Sequence, residues 1–246
     1  MMAGVKAKAK AGSKFQMSAG AAVYAPIADK TGPIEFVGYD QYVDVPSAVK
    51  AIVIAGKEQD AIHHGSEGEV VISPTPFYAE SGGQIGYSGT LEWDGGRATV
   101  LDTQKPVGDL VVSRVRVDEG HLTLNASVRA SVPVATRLDT TANHTATHLL
   151  HKALKDVLGE TVQQAGSLVA PDRLRFDYTY HQAPSDEQLR RLEEIVNDKI
   201  RANPDVTKTI LPIAAANTTG AVARVGQKDR THRPTATTCD LPPVLP

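Results

Sequence analysis

From residue 34 to residue 135 the chain is a succession of short extended segments, and no other feature limits its fold so strongly. The segments "EVVIS", "TLEW", "RATVLDT", "LVVSRVRV", "HLTL" and "SVRASVPV" follow one another with Gly, Asp and Pro between them and no sustained helical period. Strands this short must pair with one another to bury an apolar face, so the pattern predicts a small β-barrel or sandwich as a first domain over residues 21–135. The 246 residues, 41% hydrophobic and 22% charged, suffice for one large or two modest cores and exclude a disordered or fibrous chain.

Inside this region "TPFYAESGGQIGYSG" (75–89) interrupts the rhythm with Gly82, Gly83, Gly86 and Gly89. Glycine permits positive φ and close backbone approach, so the stretch reads either as a conformationally demanding loop beside a ligand or as an ordinary barrel corner. The Gly-Lys-Ser/Thr ending of a phosphate-binding loop is missing, which excludes that class of nucleotide site.

The pattern changes after residue 135. "TANHTATHLLHKALKDVL" (141–158) is helical, with Asp139, Thr140 or Thr141 as candidate caps and Gly159 placed to end it. His144, His148 and His151 then lie within about 60° of one another, as one stripe. Ala146, Leu149, Leu150, Ala153, Leu154 and Val157 fall opposite and are expected to pack. Two histidines at i and i+4 present both rings to one side, so His144 and His148 suit one metal ion; the plain alternative is a solvated polar face beside Lys152 and Lys155.

A hairpin follows. Leu174, Phe176, Tyr178 and Tyr180 alternate with polar residues after an Ala-Pro-Asp turn. Ser185 and Gln188 make a capping-box pair opening a second helix through Leu189, Leu192, Val196 and Ile200, with "VTKTILPI" as a last strand. Helix, hairpin, helix and strand predict an α+β domain over 136–220. Residues 1–20, with Lys6, Lys8, Lys10 and Lys14 among small residues, read as a linker or frayed helix, and 221–246 as an unstructured tail.

Net charge of −2 supplies no general basic field for nucleic acid or anionic membrane, so any RNA contact is local. No apolar run approaches the roughly 20 residues of a membrane span and no signal core opens the chain, which predicts no membrane partner and a cytoplasmic protein. The single cysteine, Cys239, excludes an internal disulfide and a site of several thiolates. The glycosylation-type tripeptides at Asn125, Asn143 and Asn217 are taken as chance matches.

Three stretches in order, "TPFYAESGGQIG", "NHTATHLLHKALKDVLG" and "QQAGSLVAPDRLRFDY", resemble the editing region of the alanyl-tRNA synthetase family and its freestanding editing relatives, over roughly residues 20–220. The resemblance implies a small β-barrel domain followed by an α+β editing domain of the alanyl/threonyl-tRNA synthetase type. It also implies zinc as cofactor with His144 and His148 as ligands, and alanine tRNA mischarged with serine or glycine as partner. The implied reaction is zinc-assisted hydrolysis of that ester. An activation site sized for alanine cannot exclude glycine and rejects serine only weakly, so a second, hydrolytic site meets a physical need. Thr147 then matches a threonine that reads the substrate side chain, Gln164 a glutamine lining the pocket, and Ser167 lies nearby. The glutamate of a zinc protease His-Glu-x-x-His motif is replaced here by Thr145, which argues against that class.

The family completes its zinc site with a later Cys-x-x-x-His stretch, which the sequence around Cys239 does not match. The expectation is therefore a truncated fragment with an incomplete editing domain, a tail that fits a frameshift, and neither the aminoacylation domain nor its ATP site. Three readings stand at this level: an editing hydrolase completed by His151, His232 or Cys239, an inactive fragment that keeps the fold, and a tRNA-binding module without catalysis.

Overall fold

The computed structural model describes residues 20–204, and the chain divides into two compact units, one running to Pro184 and one starting at Ser185. The first unit opens with helix α1 (Ala21–Thr31) and nine strands: β1 (Val45–Ile54), β2 (Lys57–Glu58), β3 (Ala61–His63), β4 (Glu67–Ser73), β5 (Gly89–Trp93), β6 (Gly96–Gln104), β7 (Val112–Glu119), β8 (His121–Thr123) and β9 (Ser127–Ser131). Six of them close on themselves in the order β1-β4-β7-β6-β5-β9, with β9 returning to β1 through Val45 opposite Ala130. Every pairing is antiparallel. Closure leaves these six strands without an exposed edge, which short strands of this composition otherwise present. The expected small barrel is therefore present, and β3 with β8 forms a separate two-stranded ribbon.

The barrel interior is filled by Val70 and Ile72 of β4 and Val115 and Val117 of β7, which alternate along their strands, and by Val49 and Ile52 of β1, where a register shift between Val49 and Ala51 breaks the alternation. Burying each such side chain contributes about 1.5–3 kcal/mol. The outer faces of β1 and β4 are also covered, because Tyr24 and Ile27 of α1 pack on Ala51, Val53 and Val71. Strands buried on both faces read as continuous apolar runs, which explains "AIVI" and "EVVI". The Tyr24 hydroxyl donates to buried Glu69 at 2.6 Å, so this buried carboxylate has a partner. Neither α1 nor the first half of β1 stands out in the sequence: α1 contains Pro26, and β1 begins with "VPSA" ahead of its apolar run.

After β9 the chain turns at Pro133 into helix α2 (Val134–Leu158), followed by the hairpin of β10 (Gln163–Val169) and β11 (Leu174–Thr179). Helix α2 begins earlier than the caps at 139–141 imply. The Thr140 hydroxyl donates to the Thr136 carbonyl at 2.7 Å and the Thr141 hydroxyl to the Arg137 carbonyl at 2.8 Å, so both serve their own helix interior. Pro133 takes the N-cap position without a side-chain bond. Gly159 ends the helix as expected, at φ +101°.

The second unit holds helix α3 (Asp186–Ala202). Its capping box is formed as expected: the Gln188 N–H donates to Ser185 Oγ at 3.2 Å, and the Ser185 N–H to Gln188 Oε1 at 2.9 Å. Asn203 ends it in the left-handed region at φ +42°. A small barrel followed by helices and a hairpin is the α+β architecture expected. The expected segment 1–19, the strand "VTKTILPI", the tail, His232 and Cys239 lie outside the described residues. Among the described residues no helix is long and apolar enough to cross a membrane.

Candidate functional site

Helix α2 sets out the candidate ligands. His144 and His148 are both exposed, and their ring centroids lie 5.1 Å apart with the ring planes at 41°. The i, i+4 offset brings the rings to one side of the helix. His151, one turn on, is half-buried with its ring 5.1 Å from that of Phe176 on β11. The stripe thus separates into an exposed pair and a third ring packed on the hairpin.

Thr147 lies between the pair in sequence but is 2% exposed. Its hydroxyl donates to the Asn143 carbonyl at 2.8 Å, leaving the oxygen lone pairs as acceptors. Leu149, Ala153, Leu154 and Leu158 are buried, as the apolar pattern implies. The buried surface is nevertheless wider than the apolar stripe, because Thr140 and Thr147 are buried beside the histidines. A threonine that satisfies its hydroxyl on the preceding turn costs little to bury.

The hairpin supplies the other two candidates. Ser167 is directly opposite Phe176, and Gln164 directly opposite Tyr178. Opposed residues in an antiparallel pair share a face, so Gln164 and Ser167 stand on the same hairpin face as Phe176, the face that meets α2 through His151. Gln164 Nε2 donates to the Gly166 carbonyl at 3.5 Å, while the buried Gln164 Oε1 has no hydrogen-bond partner among the described residues. An acceptor desolvated in this way favours any donor brought to it.

Two further residues hold the arrangement, and the sequence pattern alone does not single them out. Asn143 donates through Nδ2 to the carbonyls of Ala170 at 2.8 Å and Pro171 at 3.2 Å, tying α2 to the hairpin turn. Its only local signal is a poor helix former in mid-helix. Gly83 belongs to the glycine-rich stretch, which leaves the barrel wall and lies along β10: the Val169 N–H donates to the Gly83 carbonyl at 2.7 Å, and the Ile85 N–H to the Val169 carbonyl at 3.1 Å. That stretch therefore docks beside Ser167.

At its barrel side the same loop carries Tyr78 and Tyr87. Burial pushes the Tyr87 hydroxyl up from its ordinary range, against the pull of Arg137 from α2. Burial also raises Tyr78, with Tyr39 adding to the effect. The Arg137 guanidinium stands 5.8 Å from the ring centre of Tyr42 and 5.9 Å from that of Tyr87.

As a metal centre, the exposed pair fits two positions of a tetrahedral zinc ion, for which imidazole is an ordinary ligand. Among the described residues no group of three or more His, Cys, Asp or Glu side chains stands together around this pair. His63, on β3, and His64 are exposed, as is His181, whose ring lies against Tyr180 at 4.3 Å. A depression of about 650 Å³ lined by Trp93, Pro74 and Arg129 shares no residue with α2 or the hairpin.

The family model for tRNA synthetases class II (A) matches residues 2–135. Among curated proteins, the alanine–tRNA ligase of Rhodopseudomonas palustris is 43% identical over 207 residues, 84% of this chain and 23% of that protein. The alanine–tRNA ligase of Nitrobacter winogradskyi is 42% identical over 224 residues, 91% of this chain and 25% of that one. That of Bradyrhizobium diazoefficiens is 41% identical over 225 residues, covering 90% and 25% respectively. The chain spans about a quarter of the length of the curated relatives it matches.

Proposed function

The chain belongs to the tRNA synthetases class II (A) family, and from that premise we propose that α2 and the β10–β11 hairpin form an editing site which hydrolyses alanine tRNA mischarged with serine or glycine, with zinc as cofactor. The observation that carries the reading is the exposed His144–His148 pair, rings 5.1 Å apart, on the helix that the hairpin face of Gln164 and Ser167 packs against.

His144 and His148 would hold the ion, which when bound polarises an ester carbonyl or lowers the pKa of a bound water. The remaining work falls to side chains of the chain itself. Thr147 places an acceptor oxygen at a buried position next to His148, where a serine hydroxyl finds a hydrogen bond that alanine's methyl cannot make. Gln164 Oε1 offers a desolvated acceptor for a substrate N–H or O–H. Ser167, against the Gly83 loop, borders the same face.

The test is joint measurement of zinc content and of deacylation of seryl-tRNA by the purified chain. Deacylation with one zinc per chain, both lost in His144→Ala and His148→Ala, supports the site. Binding of tRNA with neither zinc nor deacylation removes catalysis and leaves a tRNA-binding module.

A further inference from the structure

Arg137 differs from the other paired arginines of the first unit. Arg97, Arg116, Arg129, Arg173 and Arg175 each meet a carboxylate. Arg137 instead donates through Nε to the Gly38 carbonyl at 3.4 Å and through Nη1 to the Thr141 hydroxyl, and lies over the rings of Tyr42 and Tyr87. Among the described residues no carboxylate pairs with it. The guanidinium is thereby fixed in orientation by neutral groups while its charge stays uncompensated, an arrangement suited to an anion from outside. The residue that follows its Gly38 acceptor is Tyr39, 63% exposed, whose ring is braced edge-on by Phe36 at 5.1 Å and 84°. Phe36 is in turn braced by Tyr78 at 6.1 Å.

A braced, exposed aromatic ring beside an uncompensated arginine is the combination that holds single-stranded nucleic acid, the base stacking on the ring and the phosphate meeting the cation. Position on α2 gives the combination a direction. Offsets of seven and eleven residues put Arg137 on the same helical face as His144 and His148, about 10 Å before His144 along the axis. That length accommodates about three stacked nucleotides at about 3.4 Å each.

We propose that Arg137 and Tyr39 seat the unpaired 3′ end of an RNA strand and so position its terminal ester at the His144–His148 pair; the inference rests on the editing reading above. Both are positioning residues: Tyr39 stacks a base, and Arg137 takes a phosphate.

The experiment compares two RNA hairpins, one with an unpaired three-nucleotide 3′ end and one blunt, binding to the full chain by fluorescence anisotropy. The chain is expected to prefer the overhang by about tenfold, as one stacked base and one phosphate contact warrant. Tyr39→Ala, at an exposed position, brings the ratio to within about twofold of unity. Arg137→Gln does the same and lowers the salt slope for the overhang by about 0.7. Equal binding of both hairpins by the unaltered chain, or an unaltered ratio in Tyr39→Ala, overturns the seat. Lack of seryl-tRNA deacylation with the preference intact overturns the editing reading alone, so the two failures are distinguishable.

Discussion

Gly83 lies so close to Ser167 that a Cβ placed on it would stand 2.6 Å from the Ser167 carbonyl oxygen and 2.9 Å from the Ser167 Cβ. Its backbone is also in the left-handed region, at φ +89°. The contact couples a barrel loop to the hairpin that carries two candidate site residues, across a long separation in sequence.

Gly83→Ala is accordingly expected to destabilise the chain by about 2–4 kcal/mol, the sum of a positive-φ penalty and a backbone clash. Gly82→Ala is the control: Gly82 has φ +63° but open space around a new Cβ, so the cost is about 1–2 kcal/mol. Urea unfolding of both variants, with hydrogen exchange at the Val169 amide, checks the difference. Equal costs would mean that the approach to Ser167 carries no energy.

Asn143 anchors the other side of the hairpin. Asn143→Ala removes the donor shared by the Ala170 and Pro171 carbonyls and is expected to cost about 1–3 kcal/mol. Asn143→Asp should cost more at neutral pH, because a carboxylate donates nothing and faces two carbonyl oxygens. Thermal unfolding of the pair gives the order; Asn143→Asp at least as stable as Asn143→Ala would contradict it.

The parts of the molecule that were legible in its sequence are those written locally. The α3 capping box is a two-residue statement at Ser185 and Gln188, and the hairpin is an alternation from Leu174 to Tyr178. The short strands of the barrel are bounded by their own turn residues. Pro133 to Arg137 was less legible because "SVPV" continues the strand rhythm into the first turn of α2, and the hydroxyls of Thr140 and Thr141 are consumed inside the helix rather than at its cap. For the site, the i, i+4 histidines showed as a pattern, while the burial of Thr147 and the Gly83–Ser167 approach depend on what packs there. Neither leaves a periodic trace.

Asp102 gives a pH dependence of stability. Burial raises its carboxyl above the ordinary 3.8, even though the Thr103 N–H and Gln104 Nε2 donate to it at 2.8 and 3.0 Å. The folded chain therefore holds this proton more tightly than the unfolded one. Stability from this group is full below 3.8 and falls as pH rises from there through the raised folded value. Asp102→Asn should remove that decline, so the variant gains on the unaltered chain as pH rises across the window. Urea midpoints measured in parallel from acid to neutral pH test it; parallel curves would assign the shift no energetic weight.

Thr147 allows selectivity to be separated from stability. Valine has nearly the shape of threonine, and the hydroxyl lost in Thr147→Val donates only to the Asn143 carbonyl, which the helix backbone also engages. Unfolding free energy should therefore change by less than about 1 kcal/mol. Metal uptake by His144 and His148 should not change, since neither ligand is altered. A site built to bond a substrate hydroxyl loses more: seryl-tRNA deacylation is expected to fall by about ten- to a hundredfold, as one hydrogen bond in a desolvated site implies. Glycyl-tRNA, with no hydroxyl to bond, should be deacylated within about threefold of the unaltered rate. Equal losses on both substrates would place Thr147 in the support of α2 and remove it from substrate discrimination, because a packing defect does not distinguish a serine from a glycine.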